Sequence, residues 1–183
     1  MKKIQKCLSV SIFLFSLIIF YSLLLTEQVS AQPPATPTPV DYQLPYPGIL
    51  PDHPLYTFKK LRDWLLITFN RHPLKKAELY LLFSDKKIGM SDLLLEKRKL
   101  ELAVDILVES QSDILKSASI LPSLTQKSML PAGLPDKIEL ATKKHKEIIN
   151  ADFKDLTDLK KQENVNRALL FNNQAISIVQ SLK

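Results

Sequence analysis

The chain has 183 residues, with three glycines, one cysteine and a formal charge of +6. So little glycine leaves no phosphate loop, dinucleotide fingerprint or Gly-x-Ser-x-Gly elbow, and a lone Cys7 excludes a disulfide within the chain. Lys2, Lys3, Lys6 and Glu27 account for +2 of the charge, and the remaining basic residues are interspersed with acids, the pattern of a solvated helical surface rather than a nucleic-acid patch.

Those three lysines precede an apolar run over residues 7–25, and Val29, Ser30 and Ala31 are the small residues a signal peptidase reads. Residues 1–31 are therefore expected to be a signal peptide cleaved after Ala31. The run also approaches the roughly 20 apolar residues that cross a bilayer, so an uncleaved N-terminal membrane anchor is the alternative. Either way the lysines ahead of the run put the remainder outside the cytoplasm, secreted or membrane-anchored and facing outside. Cys7 opens the run instead of following it, which argues against a lipid-acceptor role. Cleavage would leave no thiol nucleophile and no thiolate metal ligand.

Residues 32–43 carry Pro33, Pro34, Pro37 and Pro39 and read as an extended Pro/Thr-rich linker. Residues 44–183 are expected to fold as one all-α domain, a bundle of four to five helices in antiparallel hairpins, preceded by the extended Pro-rich segment. The composition agrees: leucine and isoleucine dominate, and no stretch alternates with period two long enough for a strand. The first helix is expected from Pro54, capped by Asp52 or His53, with Leu55, Phe58, Leu61, Trp64, Leu65 and Phe69 as its apolar stripe and Trp64 and Phe58 in the core. Asn70-Arg71-His72-Pro73 ends it, and Pro73 opens the second helix.

The second helix sets Leu74, Ala77, Leu81, Ser84, Ile88, Ser91 and Leu95 on one face, where the small residues admit a close neighbour. Gly89 costs about 1 kcal/mol against alanine, so it serves close packing or marks a weak point. A short turn at Lys97-Arg98 makes the third helix an antiparallel neighbour, with a stripe of Leu100, Ala103, Val104, Leu107, Ile114, Leu115 and Ala118. Pro122, Pro131, Gly133 and Pro135 then predict a loop over residues 121–136. The fourth helix aligns Leu134, Ile138, Ala141, His145 and Ile148. After a break near 153–158 the fifth aligns Val165, Ala168, Leu169, Phe171, Ile176, Val179 and Leu182.

The block Leu44-Pro45-Tyr46-Pro47-Gly48-Ile49-Leu50-Pro51-Asp52-His53-Pro54-Leu55-Tyr56, followed by Lys59, Lys60, Arg62 and Asp63, resembles the opening of an exported bacterial family, domain of unknown function 5667. Lys75-Lys76-Ala77-Glu78-Leu79, Asp85-Lys86-Lys87 with Met90, and Glu101-Leu102-Ala103 extend the likeness over residues 44–119, and more faintly over 134–182. The resemblance implies an exported helical domain, attached in many members to the membrane or to further segments. It brings no activity and no functional residues.

No catalytic constellation emerges from the residues themselves. His53 and His72 precede prolines at helix starts, where capping is the simple role, and His145 reads as a hydrogen-bonded core histidine. Asp85 and Asp92, near Lys86, Lys87 and Lys97, read as solvated ion pairs rather than a general acid and base. No catalytic residue, cofactor or metal ligand is assigned. Tyr42, Tyr46 and Tyr56 cluster around the prolines, either to pack that block onto the helices or to meet a partner. The expectation is a non-catalytic structural or binding module of the cell envelope. An envelope protein or polymer would be its partner, residues 7–25 a membrane attachment if retained, and neither nucleic acid nor a small-molecule substrate is indicated. The alternatives are a membrane-anchored sensor ectodomain and, more remotely, an enzyme acting on envelope glycans.

Overall fold

Five helices and no strand fall among the described residues, 39–154 and 156–182 of a computed structural model. The expected signal peptide or anchor, and the linker up to residue 38, lie outside the described residues. Helix α1 spans Tyr56–Phe69, α2 Pro73–Glu96, α3 Leu100–Gln126, α4 Gly133–Asp152 and α5 Leu159–Gln180. The all-α bundle of antiparallel hairpins expected from the sequence is the fold observed. No helix among the described residues is long and apolar enough to cross a membrane.

The α2–α3 hairpin is the frame, and small residues set its spacing. Ala77, Ser84 and Ser91 on α2 stand one heptad apart, as do Ala103, Ser110 and Ser117 on α3, and all six are buried. Each layer is closed by hydroxyl-to-backbone bonds across the pair. Ser117 Oγ donates to Ala77 O and Ser91 Oγ to Ala103 O, both at 2.8 Å. In the middle layer Ser84 Oγ donates to Ser110 O at 2.8 Å and Ser110 Oγ to Ser84 O at 2.9 Å. Larger side chains in these layers would push the backbones beyond such contact. The turn between the helices holds Arg98 at φ 58°, with Lys99 N–H bonded to Leu94 O and Arg98 N–H to Leu95 O, a left-handed helix stop.

Two apolar clusters lie along this frame. Leu81, Ile114, Leu121, Leu124, Ile138 and Val179 form one, and Ile88, Leu94, Leu107, Ile149, Phe153 and Val165 the other. The first accounts for a departure from expectation: α3 continues through Pro122 to Gln126 instead of yielding to a loop. A proline inside a helix costs about 3 kcal/mol. Burying Leu121 and Leu124, on either side of it, returns about 1.5–3 kcal/mol each and holds the helix together.

Other expectations need correcting. Helix α1 begins at Tyr56, not Pro54, and Asp52 is not its cap: its carboxylate binds Lys99 at 2.8 Å and Lys97 at 3.4 Å. His53 Nδ1 does accept the Leu55 N–H, whereas the His72 side chain makes no capping bond to α2. On α2 it is Leu94 rather than Leu95 that is fully buried. On α5 the buried seam is Val165, Ala168, Asn172, Ala175 and Val179, so Phe171 and Ile176 stand off it. The seam passes through an asparagine, which a search for apolar periodicity skips.

The largest correction concerns α1. Phe58 is 70 % exposed, Trp64 59 % and Phe69 77 %, and Leu61 and Leu65 are also exposed, so neither Trp64 nor Phe58 is core and no residue of α1 is buried. Tyr56, Lys59, Asp63 and Ile67, at spacings of three and four, are the side that turns inward. The helix is amphipathic as expected, with its apolar stripe outward.

Candidate functional site

Residues 39–55 form no helix or strand, yet they are fixed at both ends and along their length. Val40 N–H donates to Glu147 Oε2 on α4 at 2.9 Å, and Tyr42 OH to Asp85 Oδ2 on α2 at 2.6 Å. Leu44 and Leu50 pack against the second apolar cluster. Pro47 then crosses α2 at Gly89, where a Cβ would lie 3.0 Å from the proline Cγ. Gly89 thus serves close packing, and its neighbour is this strap rather than another helix. Gly48, at φ +79°, makes the bend that follows, a conformation that disfavours any L side chain. Lys59 Nζ donates to Pro47 O at 2.9 Å and Ile49 O at 3.2 Å, and the Asp52 pair ties the far end to the α2–α3 turn.

The electrostatics follow these anchors. The Val40 N–H and then Lys144 hold the Glu147 carboxyl below the usual range, and Lys99 and then Lys97 do the same for Asp52. Burial, reinforced by the hydrogen bond and charge of Asp85, drives the Tyr42 phenol far above its ordinary value. Burial also pushes Tyr56 up to about 12, with the Glu109 charge adding to it. Lys59 is pulled down to about 8, chiefly by burial.

Tyr42 is the outer end of a polar spine that runs through the bundle. Asp85, only 3 % exposed, accepts Tyr42 on one oxygen and faces His145 Nε2 at 3.0 Å with the other. His145 is fully buried, and its Nδ1 lies 3.2 Å from Gln111 Nε2. Gln111 Oε1 accepts from Asn172 Nδ2 at 2.9 Å, and the same Asn172 amide donates to Thr142 O. These partners set the proton positions. An amide N–H can only donate, so His145 Nδ1 is the acceptor, and its Nε2–H points at Asp85. Gln111 Nε2 also donates to Ser110 Oγ, joining the spine to the serine layers. Asn172 Oδ1 is the one buried side-chain polar atom among the described residues without a hydrogen-bond partner.

A Tyr–Asp–His row resembles an acid–base relay; here the Tyr42 O–H and the His145 Nε2–H both go to Asp85, and Tyr42 and Asp85 also line a surface pocket of about 800 Å³. Through Gln111 and Asn172 the spine links α2, α3, α4 and α5 and ties the strap to them. The reading of Asp85 as a solvated ion pair is overturned: its partners are Tyr42 and His145, and Lys87 instead binds Asp113 at 2.7 Å and Glu109 at 3.1 Å. Burial alone would lower the Lys87 ammonium; those two carboxylates outweigh it and raise it. Asp92 has no cation as a dominant neighbour. Burial raises its carboxyl, and Asp152 and Glu96 raise it further. His145 is the hydrogen-bonded core histidine expected.

Of the three tyrosines singled out in the sequence, Tyr42 and Tyr46 line one pocket with Lys75, Glu78, Asp85 and Lys137, and Tyr56 lies apart from them. Tyr42 enters the spine, Tyr56 packs on the second apolar cluster, and Tyr46 is 83 % exposed. Sequence reasoning missed Gln111, Asn172 and Thr142, which are polar at core positions. The one available signal was that Gln111 and Asn172 each fall in step with buried apolar neighbours, Ile114 and Ala168 among them. The second surface feature is the outward stripe of α1. Beneath that helix a groove of about 250 Å³ separates it from the α2–α3 hairpin, lined by Tyr56, Ile67, Tyr80, Phe83 and Met90 with the Lys87 ion pairs at its floor. No group of three or more His, Cys, Asp or Glu among the described residues could hold a metal ion.

No curated protein and no solved structure matches the chain. Its sequence does match a family profile, described as Domain of unknown function (DUF5667), over residues 48–167, beginning at the strap's glycine and ending inside α5. With most of its length under that match, the chain belongs to the DUF5667 family.

Proposed function

We propose that the protein is a non-catalytic binding module of the cell envelope, exported and working outside the cytoplasm. The observation that carries this reading is the contrast between a titratable row bonded within itself and an apolar helix face left open. Tyr42, Asp85 and His145 are engaged in bonds that hold the fold. Phe58, Leu61, Trp64 and Phe69 are all more than half exposed. The basic n-region, the apolar run and the Val29-Ser30-Ala31 site supply the export side of the proposal.

The test is incubation of the whole protein with envelope fragments and with a peptide library. The expected result is retention on the fragments without turnover, lost in Phe58→Glu with Phe69→Glu and kept in Asp85→Asn. Turnover abolished by Asp85→Asn or His145→Gln, with helical circular dichroism preserved, would overturn the reading in favour of an enzyme. A second reading, a membrane-anchored sensor ectodomain, draws on one feature: the chain that follows residues 7–25 continues into the strap, so tension on it would load the Val40–Glu147 bond first and the Tyr42–Asp85 bond next. N-terminal sequencing of the processed protein decides between them, because a start at Gln32 removes the anchor.

A further inference from the structure

We propose that the outward face of α1 docks on an anionic lipid surface. This names the partner of the open face and rests on the binding-module reading in that respect alone. Helix α1 has 14 residues, about 21 Å, too short to span a bilayer and suited to lying in its interface. Its outward stripe, Phe58, Leu61, Leu65 and Phe69, is flanked by Arg62 and Leu66 on one side and on the other by Trp64 and Lys60, which also line the groove against the hairpin. Arg71 follows just past the helix end, and all of these side chains are exposed. Aromatic and leucine side chains on one face with basic residues along its rims are the arrangement of interfacial helices, whose apolar face enters the acyl boundary while cations stay at the head groups.

Charge selects the occupant. Between Tyr56 and His72 the only acid is Asp63, whose ion pair with Arg62 at 2.6 Å leaves the rim's net charge on Lys60 and Arg71. The rim is therefore basic, and it would oppose its own copy across a two-fold contact while complementing an anionic head-group layer. Reach agrees: residues 26–38 separate the apolar run from the strap and extend at most about 45 Å, so a retained run would keep the domain beside the bilayer that α1 would meet.

Trp64 is the single tryptophan of the chain, so its emission reports α1, at the edge between the outward stripe and the groove. The whole protein is titrated with vesicles of phosphatidylcholine alone and of phosphatidylcholine with phosphatidylglycerol. The expected result is a blue shift and protection from acrylamide quenching with the anionic vesicles, weakened by added salt. Lys60→Glu with Arg62→Glu should reduce the apparent affinity at least tenfold, and Phe58→Ser with Phe69→Ser by a similar factor, both with unchanged circular dichroism. Protein that sediments with vesicles while Trp64 emission stays unchanged is held by residues 7–25, and the proposal fails. A shift that depends on protein concentration without lipid would assign the face to a second copy. A shift produced by envelope protein extract and not by vesicles would assign it to a protein. Either result overturns the proposal. Turnover by the polar spine would sink the non-catalytic reading and leave the vesicle result untouched.

Discussion

Helices α1 and α2 each carry a regular three-and-four pattern, and their fates are opposite. On α2 a face diluted with serines is buried from Ala77 to Ser91, because small residues let α3 approach until each hydroxyl reaches a carbonyl across the pair. On α1 the more apolar stripe lies in solvent, and the side carrying Lys59 and Asp63 turns inward. What decides the difference is a partner of complementary shape and backbone acceptors within hydroxyl reach. Hydrophobicity decides that a face will be covered, and says nothing of what covers it.

The comparison breaks most sharply at its centre. Ser110→Leu would force the α2–α3 backbones apart and remove two buried hydrogen bonds, costing about 3–5 kcal/mol. The melting temperature should fall by roughly 10 °C or more. Leu61→Ser on α1, a change of comparable size in the reverse sense, should leave melting within about 2 °C of wild type. Equal losses at the two positions would mean that α1 is packed after all.

The strap is the next test. Deleting residues 44–51 uncovers Gly89 and the second apolar cluster, so melting should drop by several degrees; no change would make the segment a solvent-exposed recognition element. Its pH dependence has a definite sign. The Asp52 and Glu147 carboxyls are held low in the folded state, so their anchoring is present above the ordinary carboxylate range and is lost as pH falls through the depressed values. Limited proteolysis should therefore find the strap protected at neutral pH and cut first in acid, ahead of the α2–α3 hairpin.

The smallest effect belongs to Asp92. Its carboxyl is raised in the folded state, so the favourable contribution exists at low pH and is lost as pH rises through that raised value. Asp92→Asn should melt slightly higher than wild type at neutral pH, and the gain should vanish in acid, as paired melting curves would show.

Much of this frame was readable from the sequence. Small residues on one face of α2 announced the close hairpin, Pro73 and the Lys97-Arg98 turn marked the ends of α2, and close packing was one of the two readings Gly89 offered. The hidden parts were those in which a polar residue takes a core position. Gln111, Thr142 and Asn172 look like surface residues one at a time, and only the packed bundle reveals that Asn172 bonds Gln111 and the Thr142 carbonyl while Gln111 meets His145. Pro122 was read as a breaker because its local cost is large, while the burial of Leu121 and Leu124 that outweighs it is a tertiary matter. The direction of α1 was hidden for the same reason: the stripe was legible, its missing cover was not.

That outward direction is the claim on which the rest depends, and Trp64 tests it without any ligand. In the whole protein at low concentration and without lipid, its emission should lie close to that of free tryptophan in water and be readily quenched by acrylamide, in keeping with its 59 % exposure. Blue-shifted emission closed to the quencher under those conditions would put Trp64 inside the fold and contradict the account.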